Sequence, residues 1–95
     1  MIVRIDIHQN ESAGFSYSVS AEHQALYDGD GFSSIVNALA AAVEGLGSDA
    51  RAAELAFGGV VSGTYPLSVI GMSIDQVAQH AMNTTAMIDG VMPDR

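Results

Sequence analysis

Two short segments near the N-terminus alternate between apolar and polar residues, and this alternation restricts the fold more than any other feature. In residues 2–8 (IVRIDIH) every second side chain is aliphatic, and in residues 15–19 (FSYSV) apolar residues alternate with serine. A period of two places the apolar side chains on one face of a strand, so both segments are predicted to be half-buried β-strands. The polar segment 9–14 ends in glycine and predicts an antiparallel hairpin with a long loop. Residues 24–28 are expected to add a third strand.

Beyond these strands the pattern becomes helical and then irregular. The segment Asp28-Gly29-Asp30-Gly31 predicts a turn, because glycine and aspartate tolerate tight backbone conformations. A helix is expected to follow, capped by Ser33 or Ser34 and ending at Gly45. Ser48 predicts the start of a shorter second helix that continues to about Ala56. Residues 57–71 are interrupted by glycines and a proline, and they favour one or two short strands or an irregular segment.

The clearest helix is predicted over about residues 73–89. Ser73 and Gln76 have the spacing of a capping box, and apolar or small residues recur at helical intervals from Ile74 to Ile88. Gly90 has the residue type that commonly follows a helix. We therefore predict a single domain over residues 1–95 of the α+β class. In it a small antiparallel β-meander packs against two or three α-helices, the last being this amphipathic C-terminal helix.

The charge of the chain excludes several kinds of partner. Its 95 residues include eleven Asp or Glu and only three Lys or Arg, giving a formal net charge of −8. Nucleic acids and anionic membranes attract clustered Lys and Arg, so direct binding to either is not expected. A basic protein partner is favoured instead, with simple solubility as the alternative explanation of the charge. Because neither a signal-peptide core nor a membrane-spanning run is present, the protein is expected to be cytoplasmic.

Acidic residues on the exposed strand face and in turns are the predicted contacts for that partner. They are Asp6, Glu11, Glu22, Asp28 and Asp30. Asp28 and Asp30 also have the alternate spacing of carboxylates in calcium-binding loops, but the residues that follow do not fit the EF-hand pattern. A plain turn into a helix is therefore the preferred interpretation of this pair.

No metal site, cofactor site or catalytic site is predicted. Cysteine is absent, and His8, His23 and His80 lack the spacings typical of zinc ligands. His8 and His23 could approach each other across the hairpin, but two ligands are too few for such a site. Neither the Gly-x-Ser-x-Gly motif of hydrolases nor the lysine of a phosphate-binding loop is present. The sequence therefore predicts a protein that is not an enzyme.

Methionines near the C-terminus indicate a second kind of contact. Met72 and Met82 are expected to fill the core, whereas Met87 lies off the apolar stripe of the predicted helix. Charged residues make up only 15% of the chain, which suggests that a monomer leaves apolar surface uncovered. Met87, Val91 and Met92 are the residues predicted to bury such surface in a homodimer.

The first half of the chain resembles the strand–strand–strand–helix unit of HicB-type antitoxins. The resemblance covers residues 2–46 and is carried by the hairpin segment 14–19, by residues 27–34 and by the alanine-rich helix at 38–43. It implies an interaction module that works as a homodimer. The second half does not match, since a ribbon-helix-helix DNA reader would need basic residues that are absent here. In size and acidity the chain is also similar to small phage-encoded inhibitors of the anti-CRISPR type.

Three hypotheses about function follow from these observations. The first is a small, acidic, non-enzymatic inhibitor that blocks a basic nucleic-acid-binding host protein by charge complementarity or steric occlusion. The second is an antitoxin-like or other homodimeric module that works through apolar contacts. The third is a small-ligand-binding protein with a pocket near the glycine-rich segment 58–71.

Overall fold

A computed structural model describes residues 2–10, 14–46 and 50–90, with side chains described as far as Met87 in the last range. The chain forms five strands and three helices. In chain order they are β1 (Ile2–Gln9), β2 (Phe15–Ala21), β3 (Gln24–Phe32), α1 (Ile35–Glu44), β4 (Ala52–Phe57), β5 (Val60–Pro66), α2 (Leu67–Met72) and α3 (Ile74–Gly90). The predicted α+β class is confirmed.

The strands form one mixed sheet in the order β3-β2-β1-β4-β5. The pairs β1–β2, β2–β3 and β4–β5 are antiparallel, so the predicted meander at the N-terminus is confirmed. The central pair, β1 and β4, is parallel, with Ile5 beside Leu55. The strand β1 is therefore flanked on both sides, while β3 and β5 form the two edges.

All three helices pack against one face of this sheet. Val3, Ile5 and Ile7 of β1 point to that face and are essentially inaccessible to solvent, as their alternation predicts. The helices contribute further members of the same core: Ile35, Ala38, Leu39 and Ala42 from α1, Ile70 from α2, and Val77, Ala78 and Ala81 from α3. Because burial of aliphatic side chains is the main favourable term in folding, this one-sided core determines which sheet face stays uncovered.

The second helix predicted over residues 48–56 begins outside the described residues, and over its described part the prediction is wrong. Residues 52–57 form the strand β4, in which Ala53 and Leu55 are buried beneath the helices and Glu54 lies on the other face. Alanine, leucine and glutamate favour helices when considered alone. A central strand instead requires side chains that fit between two neighbours, and small alanines meet that requirement, so tertiary pairing overrides the local preference.

The turn predicted at Asp28-Gly29-Asp30-Gly31 is also wrong, because these residues lie within β3. The chain reverses earlier, at Glu22 and His23, where both residues have positive φ angles of 52° and 69°. Positive φ at both central residues is typical of a two-residue hairpin turn of type I′. Glu22 and His23 therefore occupy turn positions for which asparagine or glycine would be better suited.

Residues 57–71, for which the sequence favours short strands or an irregular segment, contain a turn, the strand β5 and most of the helix α2. Gly58 and Gly59, with φ angles of 61° and 85°, reverse the chain between β4 and β5. The apolar run after Pro66 becomes the short helix α2, with only Ile70 fully buried. The predicted C-terminal helix is confirmed as α3. The expectation that Met72 and Met82 fill the core is wrong, because these side chains are 85% and 39% exposed.

Candidate protein-binding face of the sheet

The face of the sheet opposite the helices carries most of the predicted contact residues that the structure describes. We call it the open face. Strand alternation places on it Arg4, Asp6 and His8 of β1, Ser16, Ser18 and Ser20 of β2, Asp28 and Asp30 of β3, and Glu54 of β4. The register aligns Asp6, Ser18 and Asp28 in one row across three strands. Since neighbouring strands are about 4.8 Å apart, the backbone positions of Asp6 and Asp28 are separated by about 10 Å.

The serines of β2, the strand between β1 and β3, project only a short distance above the open face. Ser16, Ser18 and Ser20 lie opposite His8, Asp6 and Arg4 of β1. Hydroxyl groups of this size neither cover the neighbouring carboxylates nor neutralise them. A partner's long cationic side chains can therefore reach the acidic groups from above the sheet.

Arg4 forms the centre of an ionic cluster on the open face. Its Nε donates to Asp6 Oδ2 at 3.0 Å and Oδ1 at 3.2 Å, and its Nη1 donates to Glu54 Oε1 at 3.3 Å. The hydrogen bond to Asp6 and the charge of that carboxylate, with a smaller effect from Glu54, raise the pKa of Arg4 above its usual value. The cluster keeps one negative charge, and Asp6 is less available to a partner than its sequence position suggests.

Asp28 and Asp30 are exposed and lie on the edge strand. Both ion pairs found among the described residues belong to Arg4, so neither of these two carboxylates is neutralised within that part of the chain. Together they form the least compensated negative charge of the open face.

Aromatic packing beneath β3 holds these two carboxylates in place. The ring of Tyr17 lies over Gly29, where an added Cβ would come within 2.9 Å of the ring. Tyr17 also packs edge-to-face on Tyr27, with ring centres 6.0 Å apart, and against Phe32 at 5.6 Å. A side chain at position 29 would therefore require the Tyr17 ring to shift, and this position lies directly between Asp28 and Asp30.

Tyr27 connects the same strand to the helix layer. Its hydroxyl donates to the carbonyl oxygen of Ala42 in α1. Burial, and to a smaller extent the neighbouring Tyr17, raise the pKa of Tyr27 above its usual value of 10.0. A partly buried phenol with a defined acceptor helps to fix the distance between β3 and α1.

The other predicted contact residues are distributed differently. Glu22 lies in the turn between β2 and β3, at one end of the sheet, and Glu11 lies outside the described residues. Glu54 was missed because it was assigned to the wrong helix, although the alternation from Ala52 to Phe57 could have indicated a strand. Of the predicted self-association residues, Met87 is 68% exposed on α3, while Val91 and Met92 lie outside the described residues.

Two clefts open at opposite ends of the sheet. One, of about 430 Å³, is lined by Arg4, Glu22, His23 and Glu54 among others, and the second, of about 440 Å³, is lined by His8, Phe57, Gly58 and Thr85. His8 and His23 are therefore about 20 Å apart along the strands, and the expected approach of these histidines is wrong. Among residues 2–10, 14–46 and 50–90, no three His, Asp or Glu side chains are grouped closely enough to hold a metal ion.

Comparisons with known proteins do not assign the chain to a family. No protein-family description, curated protein sequence or solved structure matches it significantly. In the part of the chain that the structure describes, no helix is both long enough and apolar enough to cross a membrane.

Proposed function

We propose that this protein is a small, acidic, non-enzymatic inhibitor that binds a basic protein through the open face of its sheet. The observation that carries the proposal is the pair of exposed carboxylates, Asp28 and Asp30, which lack a described counter-ion on an otherwise low surface. A protein surface that binds nucleic acid presents Lys and Arg at spacings suited to phosphates. Carboxylates held on a rigid sheet can occupy the positions that the phosphates take on that surface.

The charge of the whole chain supports this proposal. A net charge of −8 attracts a basic partner over long distances and accelerates association, and that attraction weakens as salt screens it. In this proposal the protein acts in the cytoplasm on a nucleic-acid-binding host protein and either neutralises or covers its binding groove. Neither cleft is enclosed, which makes the alternative of a small-ligand-binding protein less well supported.

The test begins with capture of partners from a host lysate on the immobilised protein, followed by washes at low and high salt. A captured nucleic-acid-binding protein is then purified. Its affinity is measured for the wild type and for the double variant that combines Asp28→Asn with Asp30→Asn. We expect the double variant to bind at least about tenfold more weakly at low salt, since two close charge interactions are removed.

A matched control separates the position of the charges from their number. Glu44→Gln with Asp75→Asn removes the same formal charge from exposed positions on α1 and α3. We expect this control to bind nearly as tightly as the wild type. Equal losses in both double variants would show that net charge acts without the open face, and unchanged affinity in both would reject the proposal.

A further inference from the structure

The second edge of the sheet differs from the acidic one in having no charge at all. Residues 55–74 contain no Asp, Glu, Lys, Arg or His, in a chain whose net charge is −8. This segment includes β5, α2 and the connections on either side of them. The uncharged residues are thus grouped around the β5 edge of the sheet.

The strand β5 leaves one side unpaired. Among the described strands it pairs only with β4, so its other side presents backbone N–H and C=O groups to any strand that approaches. Edge strands usually carry charged side chains that discourage such pairing. In β5 no charged side chain serves this purpose.

Apolar side chains are exposed beside this unpaired strand. Val61 of β5 is 42% exposed, Val69 of α2 is 41% exposed, and Met72 at the end of α2 is 85% exposed. Tyr65, Val69 and Val77 line an adjoining groove of about 290 Å³, together with Ser73, Gln76 and His80. We call β5, α2 and this groove the neutral edge.

The net charge of the chain favours a second copy, rather than a basic protein, as the molecule that binds the neutral edge. Two copies of a chain with net charge −8 repel each other, and the repulsion is smallest where neither copy presents carboxylates. A basic partner would gain no ion pairs at this surface. An antiparallel pair of identical strands also satisfies two-fold symmetry, because residue i of one copy meets residue j of the other and residue j meets residue i.

We propose that two copies of this chain associate through their β5 strands, which pair antiparallel across a two-fold axis. The two sheets then become continuous, and Val61, Val69 and Met72 of each copy are covered at the junction. Each acidic β3 strand lies at a far edge of the joined sheet and remains open to another partner. This proposal is independent of the proposed inhibitory function, since it uses a different surface.

The experiment is sedimentation velocity of the full chain over a range of concentrations from about 5 to 500 μM, at low and high salt. We expect a dimer that forms more readily at high salt, because screening reduces the repulsion between two acidic copies. Binding of a basic partner should respond to salt in the opposite direction. A wild-type protein that stays monomeric at the highest concentration in both salts would overturn the proposal.

Matched variants locate the interface. Val61→Asp adds a carboxylate to each β5 strand at the junction of two acidic copies and should raise the dimer dissociation constant at least about tenfold. Leu26→Asp makes the same kind of change on β3, where Leu26 is 46% exposed, and should leave dimerisation unchanged. Met72→Glu provides a second test on a side chain whose exposure makes misfolding no concern, and circular dichroism verifies the fold of every variant.

One further variant tests the C-terminal helix. Met87→Glu should not affect the dimer if β5 forms the interface. Loss of the dimer in Met87→Glu, with retention in both Val61→Asp and Met72→Glu, would overturn the proposal and assign the interface to α3. Loss in Leu26→Asp alone would overturn it in favour of the β3 edge.

Discussion

The two edges of the sheet are built from strands of similar length but opposite character. The β3 edge carries Asp28 and Asp30, is interrupted by register shifts and rests on a cluster of aromatic rings. The neutral edge carries no Asp, Glu, Lys or Arg, exposes valine and methionine, and includes the short helix α2. Both edge strands pair irregularly with their neighbours, but only the β3 edge carries like charges that discourage it from meeting its own copy, whereas β5 has no charged side chain. The proposed surface for a different protein and the proposed surface for a second copy of the chain thus lie at opposite edges of one sheet.

The largest effect is expected from a change that loosens the β3 edge. Gly29→Ala adds a Cβ that would meet the ring of Tyr17 at 2.9 Å. The ring must move within the aromatic cluster, and overpacking of this kind costs about 1–3 kcal/mol of unfolding free energy. Urea denaturation followed by circular dichroism measures the loss. An unchanged midpoint would show that Tyr17 can move freely and that β3 is not held as described.

A smaller loss is expected when the connection from β3 to α1 is removed. Tyr27→Phe deletes the hydroxyl that donates to the carbonyl of Ala42 and should cost about 1 kcal/mol at neutral pH. Denaturation of this variant beside the wild type measures the difference, with Tyr65→Phe as a control at a tyrosine on the other edge. Equal effects of the two substitutions would contradict a special role for Tyr27.

The wild type and Tyr27→Phe should also differ in how their stability responds to alkaline pH. The pKa of Tyr27 is raised in the folded protein, above the 10.0 of an unperturbed tyrosine. The neutral phenol therefore stabilises the fold fully below pH 10, and this contribution is lost as pH rises through the folded pKa. The stability difference between wild type and Tyr27→Phe should narrow above pH 10. A constant difference from pH 7 to pH 11 would show that Tyr27 does not ionise in this way.

A modest gain is expected at the turn that leads into β3. Glu22 and His23 have positive φ angles, which asparagine and glycine adopt with less strain. Glu22→Asn with His23→Gly should raise the unfolding free energy by roughly 0.5–1 kcal/mol, after allowance for the greater freedom of glycine in the unfolded chain. Thermal denaturation provides the measurement. Destabilisation would indicate that the two side chains make contacts that outweigh the backbone strain.

The smallest effect is expected on the other edge. Gly71 lies in α2, and nothing lies within 4 Å of a Cβ added there. Gly71→Ala should therefore stabilise the monomer by about 0.5 kcal/mol, because alanine loses less backbone entropy in a helix. The sign is opposite to that of Gly29→Ala, so the same substitution reports tight packing on one edge and open space on the other. The measurement is made at low concentration, where association does not contribute.

Local patterns predicted the elements that bury a single face. The alternation in residues 2–8 and the helical spacing after Ser73 correspond to β1 and α3, because each of these elements has one buried side and one exposed side. In residues 52–57 the alternation is weak, because alanine stands on both faces of the strand, and the residue types favour a helix. The central position of β4 depends on its parallel pairing with β1, and no local pattern records that contact.

The candidate site was predicted in part, for similar reasons. Asp28 and Asp30 were recognised by their charge although they were placed in a turn rather than in β3. The cluster of Asp6, Arg4 and Glu54 depends on the contact between β1 and β4, so its geometry required the structure. Charge alone therefore indicated the chemistry of the surface, and topology determined which carboxylates form ion pairs among the described residues.

The parallel pairing of β1 with β4 has a consequence for how the chain acquires its structure. During synthesis β1 emerges first, yet its second neighbour follows only after the hairpin, β3 and α1 have been made. Closing so long a loop slows the step that completes the sheet. A fragment that ends before Ala52 would leave one side of β1 unpaired, together with the aliphatic row of Val3, Ile5 and Ile7. Truncated or partly synthesised chains are therefore expected to aggregate, and chaperone binding to such nascent chains should end once β4 has docked.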